Sequence, residues 1–209
     1  MNFGLAAATF AIVIPAELPD KTFLASIVLS ARHRPLPVFA GVAAGLVVQA
    51  AIAVVAGRLL ALAPRRIVDA VVAAVFFGGA AYLWFGKEEN AEHAGEEMAA
   101  REEAIVAADA AVLVRPSTGV RIAATTFFVV VLAEFGDLTQ VLLANLSART
   151  RDATSVFVGA VAAFLLTSAL GVALGRTITR FVPLALVRKL SAAVLVGLGV
   201  WSAVAAAGG

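Results

Sequence analysis

The apolar positions of this chain fall into long runs, with polar residues gathered between them. Six runs can be marked, at about residues 3–31, 36–63, 67–85, 120–148, 154–174 and 184–207, the first interrupted only at residues 15–21. Most reach the roughly 20 residues that a helix needs to cross the hydrocarbon of a bilayer. None alternates with period two, and all are too long for membrane strands. The pattern predicts an all-α, polytopic membrane protein of six transmembrane helices. A polar stretch, residues 87–115, separates the third run from the fourth and holds Glu88, Glu89, Glu92, Glu96, Glu97, Glu102, Glu103 and Asp109. Residues 96–114 contain no Pro or Gly and are rich in Ala, Glu and other helix formers. They are expected to form a solvated helical linker.

Composition supports a lipid environment. The chain is 62% hydrophobic and only 14% charged, with a mean hydropathy of +0.98. Soluble domains run near half apolar and about a quarter charged. The absence of cysteine excludes disulfides, thiolate metal sites and cysteine nucleophiles. The two histidines, His33 and His93, leave little room for an imidazole site. The net charge of +2 forms no basic stripe, so nucleic acid is not an expected partner. Residues 1–14 carry no Lys or Arg, and the first run is read as a retained helix, not a signal peptide. With the N-terminus outside, ten loop Arg and Lys residues lie inside and five outside. That bias predicts a cytoplasmic linker.

The two halves repeat. Glu17 and Glu134 differ by 117 positions, as do Asp20 and Asp137, and Thr22 and Thr139. Gly41 and Gly159 differ by 118, as do Gly79 and Gly197, and Pro64 and Pro183 differ by 119. A near-constant offset through three helices indicates duplication. An odd number of spans per copy places the copies in opposite senses across the membrane. Inverted repeats of this kind bind their substrate near the midplane, at the repeat interface. The predicted organisation is a first three-helix repeat over residues 1–86, a linker over 87–118 and a second repeat over 119–209.

Most of the 14 acidic residues sit in the linker or at helix ends. Glu17, Asp20, Glu134 and Asp137 alone fall deep inside apolar runs. A carboxylate at the bilayer centre costs about 2.5–3.5 kcal/mol on insertion scales. Such groups are expected to face a protein interior or a wet cavity, and to be functional. Within each motif Glu and Asp are three apart and share a helix face. Thr22 and Thr139 add hydroxyls, Gln49 and Gln140 add amide oxygens, and Lys21 can balance charge. The resulting site is rich in oxygen and negative charge, which suits hard divalent cations such as calcium, manganese or magnesium. Four carboxylates around one divalent ion leave excess negative charge. Protons can replace the departing cation, so cation-for-proton exchange follows from competition for the same oxygens. Pro15 and Pro19 are expected to disturb the first helix at its motif. Gly136 is expected to permit close packing in the second without forcing a break.

The twin motif, set in a six-helix chain with a polar central loop, resembles the GDT family of cation/proton antiporters. That family's motif reads Glu-x-Gly-Asp-(Lys/Arg)-(Thr/Ser). Glu17, Asp20, Lys21 and Thr22 match the first copy, and Glu134, Gly136, Asp137 and Thr139 the second. Pro19 stands in place of the first glycine and Leu138 in place of the second basic residue. The resemblance implies a transporter, not an enzyme, exchanging manganese or calcium for protons in a bacterial plasma membrane. The cation is cargo and no resident cofactor is implied; the partners are the lipid bilayer, divalent cations and protons. Assembly as a homo-oligomer is left open. The alternative reading is an exporter of a cationic amino acid of the lysine-exporter type, though four clustered carboxylates exceed what one ammonium group needs. An intramembrane aspartyl protease is disfavoured, because Glu134 occupies the place of that motif's first glycine. An ion sensor would bind the cation without flux.

Overall fold

The computed structural model describes residues 1–18, 20–85, 119–178 and 184–208, with isolated positions between 97 and 104. Pro19 and nearly all of the acidic linker lie outside the described residues, as does the side chain of Lys21. Every regular element among the described residues is a helix. In chain order they are α1 (Phe3–Glu17), α2 (Lys21–Arg32), α3 (Pro35–Leu60), α4 (Arg65–Phe85), α5 (Gly119–Ala133), α6 (Leu138–Thr150), α7 (Ala153–Ile178) and α8 (Leu184–Gly208). The all-α expectation is met. By length and apolar content α3 and α7, the latter over Ala153–Ala173, can each cross a bilayer, and the bent pair α5–α6 makes a third candidate span. Bulky apolar side chains such as Leu132 and Phe128 are 78% and 63% exposed. Contiguous apolar surface of that kind is stable against lipid and costly against water.

Both acidic motifs sit where a helix breaks. The backbone of α1 runs through Pro15 to Glu17. The chain then turns, and Asp20 caps α2 by accepting a hydrogen bond from the Thr22 N–H at 3.2 Å. The second break repeats this geometry, with Asp137 capping α6 by accepting from the Thr139 N–H at 3.1 Å. An aspartate in an extended conformation at this position satisfies one of the amides left open by the first helical turn. Between α5 and α6 the axis bends by 72°. Gly136 makes the bend possible with φ +84, a left-handed conformation that side chains resist. A Cβ placed there would meet nothing within 4 Å. Its role is therefore conformational, and the second motif breaks its helix as the first does, which the sequence reading did not require.

Packing links each broken pair to the long helix of the other half. Helices α1 and α2 pack on α7, α5 and α6 pack on α3, α3 and α7 meet each other, and α4 pairs with α8. Small residues set these contacts. A Cβ on Gly159 would overlap the Ala6 carbonyl and Thr9, and one on Gly41 would overlap the Ala123 carbonyl and Thr126. Ala6 and Thr9 precede Ala123 and Thr126 by 117 positions. The two contacts are thus copies of one another. Thr9 and Thr126 each turn their hydroxyl onto a carbonyl of their own helix, Leu5 at 2.9 Å and Ile122 at 2.8 Å, which hides the polar atom from the interface. Close backbone approach of this kind is what holds helices together where lipid is as apolar as the side chains.

Candidate functional site

The breaks bring three of the four predicted carboxylates, Asp20, Glu134 and Asp137, within one ion's reach, and Glu17 lies close enough to feel all three. Glu17 ends α1 and Glu134 directly follows α5; both are buried, at 4% exposure. Asp20 and Asp137 begin α2 and α6. Asp20, Glu134 and Asp137 each offer a carboxylate oxygen, and these oxygens lie within 4.8 Å of one another. Oxygens ligating one calcium at 2.3–2.6 Å can be at most about 5 Å apart, so the three fit a single hard cation. Glu17 interacts electrostatically with all three. The carbonyl-bearing ends of α1 and α5 also approach the site, and the C-terminal ends of broken helices carry partial negative charge that favours a cation.

The threonines cross between the motifs. The Thr22 hydroxyl donates to Glu134 Oε1, and the Thr139 side chain stands near the Glu17 carboxylate. Each motif thus reaches the other's glutamate, by a hydrogen bond on one side and by proximity on the other. Both threonines are buried, so these hydroxyls are part of the interior of the bundle.

The glutamines behave differently from a pair of free ligands. The Gln140 side chain accepts from the Gly136 N–H at 2.9 Å and donates to the Gln49 carbonyl oxygen, while Gln49 donates to the Val131 carbonyl. This relay ties the second break to α3. Thr167, 118 positions after Gln49, instead bonds back to the Ala163 carbonyl at 3.1 Å. On that side Thr167 joins Glu17, Thr22, Ser26 and Ser168 around a cavity of about 10 Å³, with room for about one water. Sequence reasoning missed Ser26, Thr167 and Ser168. Hydroxyls in apolar helices carry no pattern that separates a cavity wall from back-bonding, and only their convergence on Glu17 distinguishes them. Leu138, at the expected basic position, packs its methyl groups where a Cβ on Gly79 would lie. It joins α6 to α4 by contact, not by charge.

A family model described as the divalent cation/proton antiporter GDT1 matches residues 5–91 and 122–209. The chain belongs to this family. A GDT1-like protein of Synechocystis sp. is 30% identical over 151 residues, which covers 72% of this chain and 72% of the relative. No solved structure matches the chain. The two GDT1 segments each contain one acidic motif and leave out most of the polar linker. GDT1 proteins are transporters and do not form an enzyme class. Family membership and the apolar helices together make the chain an integral membrane protein.

Proposed function

We propose that this GDT1 member exchanges a divalent cation, manganese or calcium, for protons across a bacterial plasma membrane. The ion binds to Asp20, Glu134 and Asp137, and Glu17 completes a four-carboxylate site between two inverted three-helix repeats. The observation that carries this reading is the convergence of three carboxylate oxygens from two separate helix breaks within 4.8 Å. The crossed threonine–glutamate contacts support a single site shared by both halves. The paired contacts of Gly41 and Gly159 support a pseudo-two-fold relation between repeats.

The proposed cycle needs little machinery. With the cation bound, the carboxylates are ionised and share its charge. When it leaves, protons take the same oxygens and keep the buried cluster from carrying uncompensated charge. Rocking of α1–α2 with α7 against α5–α6 with α3 then turns the site towards the other side, as broken-helix repeats allow. Lys21 is proposed to balance charge beside the first motif, and Gln49 and Gln140 to hold the second break in shape. The cation is cargo, and no resident cofactor is proposed.

Reconstitution in proteoliposomes tests this function. Manganese entry is expected to drive proton exit, read with an internal manganese-sensitive dye and an internal pH dye. Glu17→Gln and Asp137→Asn are expected to abolish both signals while inserting normally. Normal manganese flux in those variants would sink the reading, as would lysine flux in place of manganese flux.

A further inference from the structure

Arg149 fastens one end of the bundle. It stands near the end of α6, and one of its terminal nitrogens donates to Asp69 of α4 at 2.7 Å and to Ser202 of α8 at 2.8 Å. Its guanidinium lies 4.5 Å from the centre of the Trp201 ring, also on α8. A single side chain thus ties the α4–α8 pair to the helix that Asp137 caps. The bonds are largely out of water, which weakens them little there.

That end lies opposite the end of α2. Helix α3 starts just after α2 finishes. It closes against α6, where a Cβ on Gly57 would overlap the Ala144 carbonyl and Ser147. So α2 and α6 lead away from the acidic cluster towards opposite ends of α3. The duplication gives each fastening residue a counterpart. Arg149 follows Arg32, the last residue of α2, by the 117 positions that separate the motifs. The offset of 118 between Gly79 and Gly197 pairs Asp69 with Val187, Trp201 with Leu83 and Ser202 with Trp84. The offset of 119 at Pro64 and Pro183 pairs Asp69 with Arg188 instead. The arginine is repeated, and the acid that receives it is not.

The surroundings of the cluster are unequal in the matching sense. Towards the α2 end, Thr22, Ser26, Thr167 and Ser168 surround the small cavity beside Glu17. Their counterparts towards the α6 end are Thr139, Leu143, Gln49 and Ala50. Leu143 and Ala50 are fully buried and apolar, and Gln49 is taken up by Gln140 and the Val131 carbonyl. The fastened side is closed and apolar; the unfastened side is lined by hydroxyls and holds the space. We propose that the bonds of Arg149 to Asp69 and Ser202 form a latch that closes the transporter at the α6 end and biases it towards the state open at the α2 end. The latch rests on the antiport function proposed above, which requires two orientations. Opening the α6 end breaks these bonds, and the Arg32 end has no acid at the corresponding positions to form equivalent ones. Two orientations related by symmetry are thereby made unequal in population.

The chain has no cysteine, so introduced ones report without background. Ser26→Cys and Leu143→Cys occupy copied positions on the two sides of the cluster. Their modification by a charged methanethiosulfonate is timed in the purified full-length protein. Asp69→Asn together with Arg149→Gln removes both charges and leaves none uncompensated, so the fold is expected to survive. That double variant is expected to speed modification at Leu143→Cys about tenfold, with no acceleration at Ser26→Cys. Should it fail to fold, Ser202→Ala removes one acceptor and no charge. It is expected to speed Leu143→Cys about fivefold, the scale of one hydrogen bond. An unchanged Leu143→Cys rate in a folded variant overturns the latch. Equal acceleration at both cysteines also overturns it, because general loosening acts on both sides alike. The readout needs no ion flux, so failure of the latch and failure of the antiport function are separate results.

Discussion

The Thr22 hydroxyl donates to the carboxylate of Glu134, a residue 112 positions away in the other motif. Thr139 stands in the corresponding position beside Glu17. Removing either hydroxyl takes a stabilising neighbour from a buried carboxylate of the cluster. Thr22→Ala is expected to raise the KM for the cation about tenfold, the cost of one hydrogen bond to a charged group. Thr22→Ser should restore most of the loss, and Thr139→Ala should match Thr22→Ala. Proteoliposome uptake at graded manganese concentrations checks all three.

Glycines fall into two mechanistic classes. Gly136 has φ +84 and open space around its missing side chain, so Gly136→Ala adds backbone strain alone, about 1–2 kcal/mol. Gly41→Ala and Gly159→Ala force a methyl into a facing backbone carbonyl. Each is expected to cost about 1–3 kcal/mol by overpacking. The two should resemble one another, because their contacts are copies. Thermal unfolding in detergent separates the cases: Gly136→Ala should also disturb transport, since it sits in the acidic turn.

Asp69 and Arg149 form a largely buried ion pair at 2.7 Å between α4 and α6, with side chains 10% and 17% exposed. Removing one partner leaves the other charge uncompensated. Arg149→Met is expected to destabilise the protein by about 3–5 kcal/mol, and a paired Asp69→Leu, Arg149→Met replacement to recover most of it. Denaturant unfolding of the two single variants and the double variant measures the coupling.

At the start of α7, Asp152 accepts from the Ser155 hydroxyl at 2.6 Å, the Ser155 N–H at 3.1 Å and the Asn2 N–H at 3.2 Å. The Ser155 hydroxyl bond, then its backbone bond, hold the Asp152 carboxyl below its ordinary range. Its contribution is therefore fully present above the unfolded value of about 3.9. It is lost as pH falls from there through the lower folded value. Asp152→Asn should remove that part of the acid dependence of the melting temperature and leave the neutral-pH slope unchanged.

Much of the site was legible because bilayers make buried charge rare. Four deep carboxylates at a constant offset point to one place before any coordinates exist. The helix breaks were less legible. Pro15 drew attention to the first, yet α1 runs through it, while Gly136 looked like a packing residue and is a turn. The crossed threonine contacts could not be read at all, because spacing within a motif is local and the partner lies in the other half. Asp69, one of the acidic residues at helix ends, carries no distinguishing signal in the sequence. Its pairing with Arg149 joins positions 80 apart in the chain, and no periodicity encodes that.

The central claim is that Asp20, Glu134, Asp137 and Glu17 hold the transported ion. A crystal structure of the protein soaked in manganese, with anomalous scattering recorded near the manganese edge, tests it most directly. The expected result is one anomalous peak within about 2.5 Å of the carboxylate oxygens of Asp20, Glu134 and Asp137, lost in Glu134→Gln. A transport-competent protein whose manganese peak lies elsewhere, or persists in that variant, would contradict it.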